Sequence, residues 1–139
     1  MQLSKTTEYA VRALIYLQLH PGIQKLEEIA TEMDIPMGYL VKVLHLLKRN
    51  KIVDTFQGVN GGYQLGMDAE ILSLYQILQV TEKTIKINSC LEDGKCALSG
   101  KQSRCRTGAY RIYCELQEIL EAKMKGVILK DLASDVRKG

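Results

Sequence analysis

The fold is decided by residues 35–65, IPMGYLVKVLHLLKRNKIVDTFQGVNGGYQL, where a helix pattern passes directly into a strand–turn–strand pattern. The apolar residues at helical spacing are Leu40, Val43, Leu44 and Leu47. Pro36 stands where the first turn of that helix is expected. Residues 52–56 alternate as a strand does, residues 58–62 suit a turn, and residues 63–65 return. The stretch therefore predicts a helix followed by a β-hairpin.

Two further helix patterns precede this stretch. Ser4 is placed to cap the first, which should run to about Leu19 before His20-Pro21-Gly22. The second should run from about Gln24 to Met33 and end at Asp34-Ile35-Pro36. Two short helices joined by a tight turn form a helix-turn-helix or merely a small helical hairpin, but a β-hairpin directly after them is a wing. The combination favours DNA binding, with the third helix in a major groove.

The basic residues are concentrated in two stretches, one on the predicted third helix and one around the cysteine loop, where they would help to stabilise thiolates and an anionic cluster. The net charge is only +3, yet residues 35–53 contain no acid, and neither do residues 94–113. Local basic patches indicate a localised anionic partner, although a solvated face is the alternative. The residues expected near bases are Met37, Gly38, Tyr39, Val41 and Lys42. Those expected near phosphates, or on the wing, are His45, Lys48, Arg49, Lys51, Gln57 and Asn60. For Tyr39 a core aromatic is the preferred interpretation.

The carboxy-terminal half predicts three more helices. Residues 71–80 should form a helix that packs under the wing. A long helix from about Arg106 to Lys125 carries an apolar stripe that the small globular part cannot cover, so a second copy of the chain is the expected partner. Gly126 should end or kink it, before a last short helix. The predicted fold is mostly α, with segments 1–80 (winged helix-turn-helix), 81–105 (cysteine loop) and 106–139 (dimerisation helix and tail).

Three of the four cysteines lie within sixteen residues, CLEDGKCALSGKQSRC, as Cys90, Cys96 and Cys105. A loop of this length is usually functional or disordered, and thiolates are the natural ligands of iron–sulfur clusters. An iron–sulfur cluster is therefore the leading candidate. Zinc is the second, although its structural sites usually pair cysteines two to four residues apart, and reversible thiol oxidation is the third. Cys114 is expected to be a packing residue.

Other classes of protein are disfavoured. The first residues lack the basic start and cleavage site of a signal peptide, and no apolar run reaches the roughly 20 residues that span a membrane, so a cytoplasmic location is expected. An enzyme is not expected, because no Ser/His/Asp set, Cys/His set or phosphate-binding glycine loop is present.

The chain resembles the Rrf2 family of bacterial winged-helix regulators over essentially its whole length. The resemblance is carried by LSKTTEYAVRAL (3–14), IPMGYLVKVLHLLKRNKIV (35–53), QGVNGGYQL (57–65) and the cysteine loop before a long helix. It implies a homodimer that binds a pseudo-palindromic operator and responds to a bound 2Fe-2S or 4Fe-4S cluster.

By position, Cys90, Cys96 and Cys105 match the family's thiolate ligands. A histidine that some members use as the fourth ligand is replaced by Gly108, whereas Glu8 matches the carboxylate that others use. The second subunit could supply Glu8. The alternative for Glu8 is an acid that only stabilises the first turn of a helix. The chain departs from the family pattern in its final cysteine gap, so the cluster type is not transferred from the relatives. It also departs at Val41 and Gln57, so the operator sequence is not transferred either.

The predicted function is a DNA-binding transcriptional regulator, expected to be a repressor, whose operator binding is controlled by the cluster. Redox or nitric oxide sensing is the expected role, and nitric oxide, oxygen, iron supply and cluster supply all stay open as the signal. The alternative is a cluster-free winged-helix regulator that acts by thiol oxidation, zinc binding or docking on a protein partner.

Overall fold

The computed structural model describes residues 2–93 and 108–136, and it confirms the predicted mostly helical, winged-helix architecture. The elements in these ranges are α1 (Lys5–Leu19), α2 (Leu26–Met33), α3 (Met37–Arg49), β1 (Val53–Phe56), β2 (Gly62–Leu65), α4 (Leu74–Thr81), α5 (Cys90–Asp93), α6 (Gly108–Gly126) and α7 (Leu129–Val136).

Helix α1 is the centre of the structure. It packs against α2, α3, α4, α7 and β2. Ala10, Ala13 and Leu14 are completely buried, and the two alanines let neighbouring helices approach closely. As predicted, Ser4 caps the helix: its hydroxyl oxygen accepts a hydrogen bond from the backbone N–H of Thr7 at 3.3 Å.

The helix-turn-helix follows the predicted pattern. The four predicted inward residues of α3 are at most 1 % exposed: Leu40, Val43, Leu44 and Leu47. The turn between α2 and α3 is fixed by Asp34, which adopts a left-handed conformation (φ 53°), and by the buried Ile35, whose N–H donates to the carbonyl of Ala30 at 2.9 Å. A short polar residue tolerates this conformation better than a branched one, so Asp34 suits the end of α2.

The wing is joined to the start of α2. Strands β1 and β2 pair antiparallel, with Val53 opposite Leu65 and Phe56 opposite Gly62. Gln24 extends this pairing, because its N–H and carbonyl exchange hydrogen bonds of 2.8 Å with those of Tyr63. The sequence pattern predicts that α2 starts at about Gln24. Because Gln24 is paired with Tyr63, the helix starts at Leu26 instead. The wing therefore has a fixed position relative to the helices.

Helix α4 does not pack under the wing, and that prediction is wrong. It packs on α1 and α6 and starts at Leu74. The backbone just before α4 is hydrogen-bonded to the segment that leads into α7. The carbonyl of Leu72 accepts from the N–H of Leu129 at 2.8 Å, and Ser73 pairs with Ile128. Because residues 72 and 73 make these bonds, α4 starts only after them.

The carboxy-terminal helices have different partners. Helix α6 packs on α4 and ends at Gly126 as predicted, whereas α7 returns to α1 and buries Leu129 and Ala133. The predicted three-segment division stays a prediction, with the added fact that part of its last segment packs on its first. Among the described helices, none has the length and apolar character needed to cross a membrane.

A polar cluster fixes the amino terminus of α1 to the end of α4. The Glu82 carboxylate accepts hydrogen bonds from the Ser4 N–H and the Thr7 hydroxyl, both at 2.7 Å, and the hydroxyls of Thr7 and Thr81 lie 2.6 Å apart. Burial raises the pKa of Glu82, but the hydrogen bonds from Ser4 and Thr7 outweigh burial and leave that pKa below its usual value. Glu82 is thus an ionised cap on the positive end of the α1 dipole.

Replacing Gly62 with alanine should destabilise the fold by roughly 1–3 kcal/mol. Its φ is +156°, and a Cβ would lie 2.3 Å from the carbonyl oxygen of Gln24, so the pairing of β2 with Gln24 would have to break. Gly38 is the matched control, because a Cβ there meets nothing within 4 Å. Gly38→Ala should raise stability by up to about 1 kcal/mol, as expected in a helix. Urea unfolding followed by circular dichroism compares the two, and equal stabilities for the variants would contradict the proposed close approach.

Glu82 should make the fold acid-sensitive. Because its pKa is lower in the folded than in the unfolded state, its contribution to the free energy of unfolding is complete at neutral pH. The contribution is lost as pH falls through the folded pKa. Glu82→Gln should therefore be less stable at neutral pH and lose less stability on acidification. Urea titrations between about pH 7 and pH 3 measure this, with Glu118→Gln on the exposed face of α6 as the control. A parallel pH dependence in Glu82→Gln and the wild type would contradict the assignment.

Candidate nucleic-acid interface and cysteine site

The face of α3 opposite the core is open to solvent. All the residues predicted to contact DNA are exposed: Met37, Gly38, Tyr39, Val41, Lys42, His45, Lys48, Arg49, Lys51, Gln57 and Asn60. The helix is apolar on its inner face and basic towards the end of its outer face. Such a helix can enter a major groove without losing its packing on α1, although the DNA-binding roles of individual residues stay predictions.

A groove of about 400 Å³ separates α3 from the wing and brings predicted residues from both elements together. Val41, His45 and Lys48 line its helix side, and Phe56 and Gln57 line its wing side. The groove is open to solvent and is lined by Lys25 and Lys48 and by one acid, Glu27. Its excess of basic side chains suits a phosphate backbone better than a small apolar molecule.

Lys25 supports the wing, and sequence reasoning missed it. Its ammonium group donates to the carbonyl oxygens of Val59 and Gly61, the latter at 2.7 Å. These bonds hold the turn of the wing beside the start of α2 and leave the Val59 side chain 92 % exposed at the tip. No local sequence signal marks Lys25, because its partners lie 34 and 36 residues further along the chain. The tip of the wing is therefore exposed to solvent, while the turn behind it is hydrogen-bonded to Lys25.

Tyr39 is not a core residue, contrary to the preferred interpretation. It is 38 % exposed, its ring packs edge-to-face on Tyr9 with centroids 5.0 Å apart, and its hydroxyl lies 3.0 Å from that of Thr6. The start of α3 is thus joined to the first turns of α1 by an aromatic pair and a hydrogen bond.

Glu8 lies among these first turns and makes two ion pairs. Its carboxylate contacts the ammonium of Lys5 at 3.0 Å and the guanidinium of Arg12. The hydrogen bond from Lys5 lowers the pKa of Glu8, and the nearby positive charges of Lys5 and Arg12 act in the same direction against burial. Arg12 also donates to the carbonyl of Asp34 at 3.2 Å. Glu8 is thus anionic, accessible and linked through Arg12 to the turn of the helix-turn-helix. Sequence reasoning missed Arg12.

Cys90 begins α5, with its backbone N–H donating to the side-chain oxygen of Asn88 at 2.9 Å. It is half-buried, and both it and Cys114 are free thiols. Cys96 and Cys105 lie outside the described residues, as does most of the second basic stretch. Within the ranges that the structure describes, no group of three histidine, cysteine or acidic side chains is arranged to hold a metal ion. The predicted ligand set therefore stays a prediction.

Gln117 fixes the segment that leads to Cys90. It is 4 % exposed, its side-chain amide donates to the carbonyl of Ile85 at 2.9 Å, and its side-chain oxygen accepts from Ile87 N–H at 2.8 Å. The Lys86 ammonium lies 3.4 Å from Glu121 beside it. This clamp on α6 explains how a segment without regular structure is held before Cys90. A polar residue next to Leu116, within the apolar stripe of α6, was the available signal.

Comparison with known proteins agrees with this architecture. The family model described as "Rrf2: Iron-dependent Transcriptional regulator" matches residues 3–135. The transcriptional regulator NsrR of Bacillus subtilis is 33% identical over 103 residues, which cover 71% of this chain and 70% of NsrR. The regulator IscR of Klebsiella pneumoniae is 26% identical over 137 residues, or 97% of this chain and 81% of IscR.

Solved structures show the same fold. CymR, the global cysteine regulator of B. subtilis, superposes with a TM-score of 0.76 at 23% identity, covering 96% of this chain and 97% of CymR. IscR of T. potens gives a TM-score of 0.76 at 20% identity, covering 98% of this chain and 88% of that one. With a family model that spans nearly all of its residues, the chain belongs to the Rrf2 family of DNA-binding transcriptional regulators and is not an enzyme.

Proposed function

We propose that the protein is a homodimeric, cytoplasmic repressor whose binding to a pseudo-palindromic operator depends on an iron–sulfur cluster held by Cys90, Cys96, Cys105 and Glu8. The observation that carries the proposal is the position of Glu8. It lies on the helix that packs against α3, and Arg12 links it to the turn before α3. The description of the family as iron-dependent supports an iron group.

A second copy of the chain is supported by α6. Three large apolar residues on this helix are 44–65% exposed: Ile112, Leu116 and Ile119. Apolar side chains at helical spacing on a long helix are typical of a subunit interface. A two-fold dimer would present two copies of α3, which explains a pseudo-palindromic operator.

The described donors fit the proposed group. Cys90 is a free, half-buried thiol, and Glu8 is ionised without metal, so neither must break a covalent bond to become a ligand. Thiolates with one weaker oxygen ligand suit a cluster with one labile iron, which would supply sensitivity to redox state or nitric oxide.

The chain's own residues would then transmit the state of the site. Glu8 Oε1 is the partner of Arg12, and Glu8 Oε2 is the partner of Lys5. A carboxylate oxygen that donates a lone pair to iron binds a guanidinium less strongly. If Glu8 were a ligand, its ion pair with Arg12 would weaken, and the hydrogen bond from Arg12 to the carbonyl of Asp34, in the turn before α3, would change with it.

Protein purified without oxygen should contain iron and acid-labile sulfide in near-equal amounts. Cys90→Ala should lose both, and Glu8→Ala should retain clearly less than wild type, since each removes a proposed ligand. Cys114→Ala should retain both, because Cys114 lies on α6 outside the proposed set. Metal and sulfide analysis with an absorption spectrum makes the comparison. Zinc alone, or no metal, would contradict the cluster and favour a zinc site or a thiol switch.

Lys48→Ala and Arg49→Ala should weaken binding to specific and random DNA alike. Each removed phosphate contact should reduce the slope of log affinity against log salt by about 0.9. Fluorescence anisotropy over a salt series measures the slope, and Lys83→Ala, which removes an exposed lysine beyond α4, is the control. An unchanged slope in both variants would contradict the phosphate role. Failure to retain any specific operator against competitor DNA would favour docking on a protein partner.

A further inference from the structure

The first half of the recognition helix presents apolar side chains to solvent. Met37 is 46% exposed and Val41 is 44% exposed, although large apolar side chains such as these are usually buried. They are four residues apart on α3, so they are neighbours on one face, roughly 5–6 Å apart at Cβ. Val41 also lines the groove between α3 and the wing, together with His45 and Lys48. The outer face of α3 is therefore apolar at its beginning and basic further along.

Apart from Lys42, which could donate to guanine, this part of the helix offers few hydrogen-bonding groups that distinguish bases. Acids accept from cytosine, and Asn or Gln pair with adenine, but residues 37–42 contain none of these. The Tyr39 hydroxyl is turned towards Thr6 on α1, at 3.0 Å. Gly38 has no side chain, so Lys42 alone remains as a polar group there. Met37 and Val41 are left as the main surface that can meet base edges.

The major groove offers one apolar group to such a surface, the C5-methyl group of thymine. Resting on the proposed operator binding, we infer that Met37 and Val41 select thymine at fixed positions of each half-site by contact with this methyl group. The same methyl group occurs in 5-methylcytosine. We assign the contact to thymine, because residues 37–42 lack the carboxylate that would accept from the amino group of a cytosine.

The experiment begins by selecting a bound operator from a random DNA pool. Each thymine of one half-site is then replaced in turn by deoxyuridine, which removes only the methyl group. At one or two positions the affinity should fall about fourfold, as expected for one methyl group returned to water. In the Val41→Ala variant, the ratio of the affinity for thymine-containing DNA to that for deoxyuridine-containing DNA should fall towards one. In Lys48→Ala affinity should fall for both DNAs while the ratio stays near fourfold.

The alternatives give different outcomes. At a sensitive position 5-methylcytosine should bind better than cytosine but less well than thymine, and equal binding of 5-methylcytosine and thymine would overturn the assignment to thymine. Deoxyuridine equal to thymine at every position of a retained operator would overturn the inference and leave the proposed function standing. Selection of no sequence above random DNA would overturn the proposed function itself. Val41 is exposed, so the Val41→Ala variant tests recognition without removing a core side chain.

Discussion

The structure depends on the packing of α1 against α3. Helices α1 and α3 pack together, and the completely buried Ala10, Leu40 and Leu44 belong to one core. Because the side chains at this contact are buried and protein interiors are close-packed, we expect α3 to have little freedom to move unless α1 moves with it. The recognition surface is therefore set by a helix that itself carries no predicted DNA contact.

Three further contacts near the amino-terminal end of α1 connect this helix to the rest of the domain. Its amino terminus is held by Glu82, its first turns touch α3 through Tyr9, and Arg12 reaches the turn at Asp34. Glu8 stands among these contacts as an accessible anion. A ligand bound by Glu8 would act on groups that already support the turn before α3, so no long pathway through the molecule is required.

The sequence predicted the helices of the core, the wing and the buried face of α3 because these elements have strong local signals: a cap, a regular apolar spacing and a glycine turn. It failed where partners distant in the chain decide the structure. Gln24 pairs with Tyr63, residues 72–73 pair with 128–129, and Tyr39 packs on Tyr9. The candidate site shows the same division. Cys90 and Glu8 could be selected by pattern, and Gln117 is marked as a polar residue within an apolar stripe, but Arg12 emerges only from its contacts.

The most direct test is the operator affinity of the protein with and without its cluster, measured by fluorescence anisotropy under anaerobic conditions for wild type and Arg12→Met. The account predicts that the loaded wild type binds at least about tenfold more tightly than the cluster-free form, within the usual range of coupling between sites. In Arg12→Met the two forms should bind nearly alike, since Arg12 connects Glu8 to Asp34. Equal affinities of the loaded and cluster-free wild type would contradict the account.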